Sequence, residues 1–226
     1  MSSTSIKPLI LHAHTTGPNP FKVAILLEAL NIPYTVKLWQ FGDAPNGVKG
    51  ERFLKINPNG RVPALEDPNT NVTSWESLAC MNYILRVYDT ENNFGARQEA
   101  GEQGRADVDA WTSFLVSTLG PFLGQCNWFR HYNNVKNENA YERYQAQAYR
   151  CFGVLEEQLK KHGGDWILAG DKPNVVDFHF EPWMRQYEYA GLSLNDYPKV
   201  KAWLDRAQAL PEVKQAYEKI KAGEEV

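Results

Sequence analysis

Two short runs in the first third of the chain carry residue types able to hold a peptide and an anion. The first is Asn57-Pro58-Asn59-Gly60-Arg61-Val62-Pro63-Ala64-Leu65 and the second is Ser74-Trp75-Glu76-Ser77. Asn-Pro and Asn-Gly are turn dipeptides, and here they lead into a predicted strand that contains Val-Pro. Proline forfeits a ladder donor, so inside a sheet it is confined to edges, bulges or special sites. A Val-Pro bond beside a helix start can hold backbone groups open for a bound peptide. Ser74 to Ser77 reads as the first turn of a helix carrying an acid and a hydroxyl. The spacing Thr73-Ser74-Trp75-Glu76 also fits a capping box in which Glu76 folds back on the Thr73 N–H, and both readings stand.

A third run, Thr15-Thr16-Gly17-Pro18-Asn19-Pro20-Phe21-Lys22, joins a predicted strand to a predicted helix. Asn19 precedes proline, which biases its backbone away from the helical region and suits it as an N-cap, with Pro20 at the first helical position. The same location has a chemical use. A helix N-terminus offers unpaired N–H groups and about half a positive charge, which favours an anion such as a thiolate. Moving a thiol from a pKa of about 8.5 to about 6.5 requires roughly 2.7 kcal/mol of preference for the ionised form. The Asn19 amide cannot ionise, but it has two donors and an acceptor, so capping and sulfur contact are compatible.

These runs sit in two differently patterned halves. Residues 8–90 alternate strands and helices: a strand at Leu9–Leu11, a helix over Phe21–Leu30, a strand at Tyr34–Leu38, a short helix near Arg52–Ile56, strands near 62–65 and 70–73, and a helix from Trp75 to about Tyr88. That order predicts one mixed sheet with helices on its faces. A polar stretch, Asp89–Gly95, reads as a linker. Beyond it the periodic segments are helical: Trp111 to Phe122 with a kink at Gly120-Pro121, Tyr144 to Leu159 ended by Gly163-Gly164, Phe180 to Tyr187, and two shorter helices around Trp203 and Val213–Tyr217. The boundary falls near residue 92, giving domains 1–91 and 92–226.

The 226 residues are 43% hydrophobic and 23% charged, which excludes a disordered chain and is enough for a buried core. A net charge of −3 gives no basic field for nucleic acid, and no apolar run approaches the roughly 20 residues of a membrane helix. The polar start, Met1-Ser2-Ser3-Thr4-Ser5, lacks the apolar stretch of a secretory signal. Three dispersed cysteines (Cys80, Cys126, Cys151) suit a reducing cytoplasm, and neither they nor the five histidines have metal-ligand spacing.

Taken in order, Asn19, Arg61-Val62-Pro63 and Glu76-Ser77 resemble the cytosolic glutathione transferases, in particular the fungal nitrogen-regulator-like class and the bacterial nu class. The resemblance implies a thioredoxin-like α/β domain followed by an all-α domain, a homodimer, and glutathione as co-substrate. It implies that Asn19 contacts the glutathione sulfur. Nu-class members place a threonine two residues before that asparagine, where this chain has Gly17, so Thr16 is the displaced candidate. It further implies that Val62 pairs with the cysteinyl unit ahead of cis Pro63, that Glu76 takes the γ-glutamyl ammonium and Ser77 its carboxylate, and that Arg61 adds a cation. Where relatives use a polar residue near the glycyl end this chain has Val48, which cannot bind a carboxylate, so that contact falls to Lys49 or to another residue. Tyr141 to Gln145 resembles the nu-class segment in which an arginine reaches glutathione across the dimer, here Arg143.

The resemblance places an electrophile pocket between the domains, with Phe21, Trp111, Phe114, Phe122 and Trp128 as candidates, together with Phe129. Aromatic stripes at helical spacing are more often core. Asn174-Val175-Val176-Asp177 fits a capping box, His179 a satisfied, partly buried residue, and the cysteines small hydrophobes. The implied activities are disulfide or peroxide reduction and conjugation to an electrophile, in detoxification or secondary metabolism. The alternative is a non-catalytic glutathione- or ligand-binding regulator.

Overall fold

The computed structural model describes residues 6–96, 98–161, 163 and 165–226. The polar start (residues 1–5) and Gly164 of the predicted Gly-Gly stop lie outside the described residues. The chain forms two compact units, residues 1–91 with 210–226, and residues 92–209. Residues 210–226, expected within the helical domain 92–226, group instead with the first unit, where the helix Pro211–Lys221 covers the helix Pro18–Ala29 and the strand Glu224–Glu225 pairs with Tyr34–Leu38.

The first unit is built on a five-stranded sheet. Its strands are β1 (Leu9–Ala13), β2 (Tyr34–Leu38), β3 (Ala64–Asp67), β4 (Val72–Trp75) and β5 (Glu224–Glu225), in the order β4-β3-β1-β2-β5. β1 runs parallel to β2 and antiparallel to β3, with His12 opposite Ala64; β3 runs antiparallel to β4, with Ala64 opposite Trp75. The helices are α1 (Pro18–Ala29), the short α2 (Glu51–Leu54), α3 (Ser77–Tyr88) and α9 (Pro211–Lys221). Val23 to Leu27 of α1 are all fully buried, so the usual polar stripe of a surface helix is missing there. The reason is that α1 is covered by α9, where Phe21 stacks on Tyr217 at 4.1 Å, as well as by α3.

Alternation along β1 puts His12 on the opposite face from Leu9, Leu11 and Ala13. There His12 lies beside Trp39 and Phe53, whose cluster includes Val48 and Ala64. Trp39 Nε1 donates to His12 Nδ1 at 2.9 Å, which leaves the ring proton on Nε2 to donate to Glu66 Oε1 at 2.6 Å. At the far edge, β5 is fixed by a Lys37–Glu224 ion pair and by Gln40 Nε2 donating to Glu225 at 2.9 Å. Gly223 allows this approach, since a Cβ there would lie 2.7 Å from Val36 Cγ1.

The strand and helix limits differ from the sequence reading in ways that matter for the site. β3 and β4 each lie two residues later than expected, and Trp75 closes β4 instead of opening a helix. The helix start moves because Glu76 takes φ +69°, a turn that periodicity does not reveal.

The second unit contains α4 (Gly101–Phe114), α5 (Gly120–Asn127), α6 (Glu138–Lys161), α7 (Val175–Met184) and α8 (Pro198–Ala209). α4 and α5 are joined by a π-helical turn, Leu115–Leu119, and a second, Trp128–Tyr132, follows α5. At Gly120-Pro121, where a kink is expected, the backbone stays helical through Leu119 and Gly120, and a wider π-helical turn precedes the proline that cannot donate. The predicted capping box at Asn174 is present: Val176 N donates to Asn174 Oδ1 at 2.8 Å and Asn174 N to Asp177 Oδ2 at 2.9 Å. Asp177 Oδ1 also accepts from Ile167 N at 3.0 Å and Trp203 Nε1 at 2.8 Å, and burial pushes its carboxyl up to about 6. His179 is fully buried, not partly so. No helix among the described residues is long and apolar enough to cross a membrane.

Replacing Asp177 with Ala strands two main-chain donors and the Trp203 indole in the core, and each buried unsatisfied donor costs about 1–3 kcal/mol. Urea denaturation should show a loss of about 3 kcal/mol or more; a loss under about 1 kcal/mol would contradict this account. Burial lowers the pKa of His12 from its usual 6.5. The unfolded chain therefore binds more protons as pH falls through 6.5, and folding stability is lost in that direction. The Asp177 carboxyl, raised to about 6, works in the opposite sense over this range, so His12 is read by difference: between pH 7.5 and 5.5 the denaturation midpoint of wild type should fall relative to that of His12→Gln, and parallel midpoints would contradict the assignment.

Candidate functional site

The register of the sheet collects three segments at one end. His12 opposite Ala64 puts the start of β3 beside the end of β1, and Ala64 opposite Trp75 puts the end of β4 beside the same residue. The loop leaving β1, the Val62-Pro63 bond entering β3 and the Glu76-Ser77 pair leaving β4 therefore share the carboxyl end of β1. This is the edge at which α/β sheets usually bind ligands.

The Val62–Pro63 bond is cis. Pro63 is buried and Val62 half-buried, and among the described residues no hydrogen bond engages the Val62 N–H or C=O. The preceding turn is held by buried Asn57, whose main-chain O accepts from Gly60 N at 2.9 Å, whose Oδ1 accepts from Asn59 N at 2.9 Å and whose Nδ2 donates to Arg61 O. Gly60 has φ +61°, and a Cβ on it would meet Val48 O and Lys49 Cδ at 2.8 Å. Exposed Lys49 lies across this turn with Nζ 2.8 Å from Asn59 O, while Val48 is a core residue. Arg61 is exposed.

Glu76 is the N-cap of α3 at φ +69°, a conformation uncommon for a residue with a side chain and costing about 1–3 kcal/mol. Its C=O accepts the first helical bond, from Cys80 N at 2.9 Å. The Ser77, Leu78 and Ala79 N–H groups therefore precede the helical ladder, as an anion site requires. The alternative capping box is overturned, because Thr73 and Ser74 are strand residues and no side chain caps this helix. The Glu76 carboxylate instead accepts from Asn59 Nδ2 at 3.2 Å and stays exposed. Ser77 is 5% exposed, and its Oγ lies 3.4 Å from the Lys22 ammonium.

Beside Ser77 stands Lys22, a residue with no role expected from the sequence. It is 1% exposed, and burial pulls its pKa down to about 7 against the opposing charge of Glu76. The signal was in the sequence: one lysine interrupts the otherwise apolar run Phe21 to Leu27.

α1 begins at Pro18 with Gly17 as its N-cap, so the expectation that Asn19 caps this helix is corrected; Asn19 is half-buried in the first turn. Of positions 17–20, whose N–H groups precede the helical ladder, Pro18 and Pro20 have none, which leaves Gly17 and Asn19 as main-chain donors. Thr16 is exposed, with its hydroxyl 3.0 Å from His14 Nδ1, an imidazole that stacks on Phe41.

Phe21, taken as a pocket residue, is 6% exposed and packed on Tyr217, so it is core of the first unit. In the second unit Trp111 and Phe114 meet at 5.7 Å and both approach Phe180. Phe122 and Phe129 flank Tyr144, and Trp128 is 50% exposed beside Tyr132. Arg143 is exposed on α6. All three cysteines are buried free thiols, and burial pushes Cys80 up to about 12 and Cys126 up to about 11, which makes them poor nucleophiles.

Comparison with known proteins agrees with this geometry. The glutathione S-transferase N-terminal domain matches residues 7–86 and the C-terminal domain residues 112–211. The chain is 37% identical to the glutathione S-transferase-like protein tpcF of Aspergillus fumigatus, covering 92% of this chain and 94% of that one. It is 36% identical to the glutathione S-transferase-like protein gedE of Aspergillus terreus, covering 88% and 89%. Among solved structures, the glutathione transferase URE2P8 from Phanerochaete chrysosporium with oxidized glutathione superposes with a TM-score of 0.85 at 29% identity, over 97% of this chain and 98% of that chain. The nitrogen regulation fragment of the yeast prion protein Ure2p gives 0.82 at 29% identity, over 96% and 99%. The chain belongs to the glutathione S-transferase family, and the relatives it matches include fungal and Ure2-type members.

Proposed function

We propose that the chain binds glutathione along the Val62 edge and uses it as a thiolate for disulfide or peroxide reduction or for conjugation to an electrophile. The observation that carries this reading is the meeting of the open Val62 main chain with the unladdered N–H groups of α3 at one end of the sheet. The cysteinyl unit pairs with the Val62 N–H and C=O in the manner of an added strand. Glu76 receives the γ-glutamyl ammonium, and Ser77 with the α3 N-terminus receives its carboxylate. Lys49 and Arg61 supply cations for the glycyl end. Arg143 reaches the glutathione of a second copy in a homodimer. Trp111, Phe114, Phe122 and Trp128 are candidates to receive the electrophile.

The sulfur lies at the start of α1, where the Asn19 amide donates to it and the helix end favours its negative charge. In conjugation the thiolate pair forms a carbon–sulfur bond while the leaving group departs with its own pair. In disulfide reduction the thiolate attacks one sulfur and expels a thiolate; a second glutathione then releases the other thiol, so two glutathiones become one oxidised glutathione. A peroxide takes the same two electrons and yields an alcohol and water. Raised pKa values of the buried cysteines favour a route without a protein thiolate.

A second reading is a glutathione-binding regulator without turnover, favoured by the likeness to a fragment described for nitrogen regulation. Assays with hydroxyethyl disulfide, cumene hydroperoxide and a chlorodinitrobenzene separate the two. Turnover with one of them is expected, whereas retention on glutathione resin with no turnover would favour the regulator. Asn19→Ala should cut turnover per folded molecule at least about tenfold, as loss of a donor to a reacting anion does. Unchanged turnover would remove Asn19 from the chemistry.

A further inference from the structure

An ammonium has three donors and no acceptor, so burying it is costly unless those donors are used. Lys22 is 1% exposed, and its hydrogen bond is to Ser77 Oγ at 3.4 Å, beyond the usual N–H···O range. Packing does not require a lysine in this apolar stretch of α1, where a methionine would fill similar space. The residue it touches is the first of α3, 5% exposed, at the helix end whose N–H groups precede the ladder.

We propose that Lys22 is a positioning residue acting through Ser77: its ammonium donates to Ser77 Oγ, so the Ser77 hydroxyl proton is left to donate outward, and this helix end selects a carboxylate over a neutral or cationic group. The inference rests on the glutathione reading above and concerns the α-carboxylate of the γ-glutamyl unit. The polarity follows from the donor inventory. A serine next to a neutral acceptor can turn its proton inward, whereas one next to an ammonium cannot. The charged state of Lys22 is itself supported from the ligand side. Burial opposes it and Glu76 favours it, and a carboxylate docked at Ser77 adds a second favourable charge. Binding thus completes an ammonium that has Ser77 Oγ as its one hydrogen-bond partner among the described residues, and this is a source of selectivity beyond the α3 N–H groups.

The test is calorimetric titration of the full chain with glutathione and with 4-aminobutyryl-cysteinyl-glycine, which keeps the amine and lacks the α-carboxylate. Wild type should bind the analogue about 30-fold more weakly, in line with loss of a charge-assisted contact. Lys22→Met should weaken glutathione about tenfold and leave the analogue within about twofold. Lys22→Gln, which keeps a donor without the charge, should lose about threefold, again only for glutathione, and serves if the methionine variant does not fold. In a Ser77→Ala background, Lys22→Met should weaken glutathione by about threefold or less, well under the tenfold seen with Ser77 in place, the remainder being the direct attraction of the two charges. Equal weakening of both ligands would reduce Lys22 to a packing role, and unchanged glutathione binding would remove it altogether. Failure of the wild type to bind glutathione is read in a separate arm and would overturn the functional reading itself.

Discussion

The site depends on one register. Ala64 lies opposite His12 on one side and Trp75 on the other, so the beginning of β3 and the ends of β1 and β4 are fixed at one place. A slip by one residue would turn every side chain to the other face. It would expose Leu65 and bury Glu66, which now accepts the His12 proton. The pairing of His12 with Trp39 and Glu66 opposes such a slip from beneath the sheet, because each partner would lose its hydrogen bond.

Two helix ends then present main-chain N–H groups that no helical bond uses. α1 opens through Pro18 and Pro20, and the loss of their two N–H groups concentrates its donor capacity on Gly17 and Asn19. α3 opens through Glu76 at φ +69°, a strained position that places an exposed carboxylate and unladdered N–H groups side by side. Strain of this kind persists only where its surroundings determine it, and here Asn59 holds the Glu76 carboxylate from the neighbouring turn. Lys22 lies behind the same helix start. The arrangement is a set of preformed donors at the edge of a strand, and in the proposed function its chemistry is supplied by the bound thiol.

Much of this was legible in the sequence where a single residue type determines the local answer. Asn57 to Pro63 announced both a turn and an interrupted strand, and Asn174 to Asp177 announced a helix start that the structure contains. What was not legible depended on partners distant in sequence. β5 is two residues long and exists only because Gly223 lets the tail lie against Val36 and Leu38. Phe21 reads as a pocket residue until Tyr217, nearly two hundred residues on, covers it. The start of α3 was misplaced because Ser74 and Trp75 carry helical spacing, while the positive φ at Glu76 leaves no periodic trace. Lys22 was visible as a charge in an apolar run, but its meaning required Ser77 beside it.

The central claim is that a tripeptide pairs with the main chain of Val62 and with the first turn of α3. Amide hydrogen exchange, followed residue by residue with and without glutathione, tests this most directly. The account predicts that glutathione slows exchange at Val62 and at Ser77, Leu78 and Ala79, where the free protein has no ladder partner. Saturation with glutathione that leaves those four amides unchanged, and protects a different edge of the sheet, would contradict it.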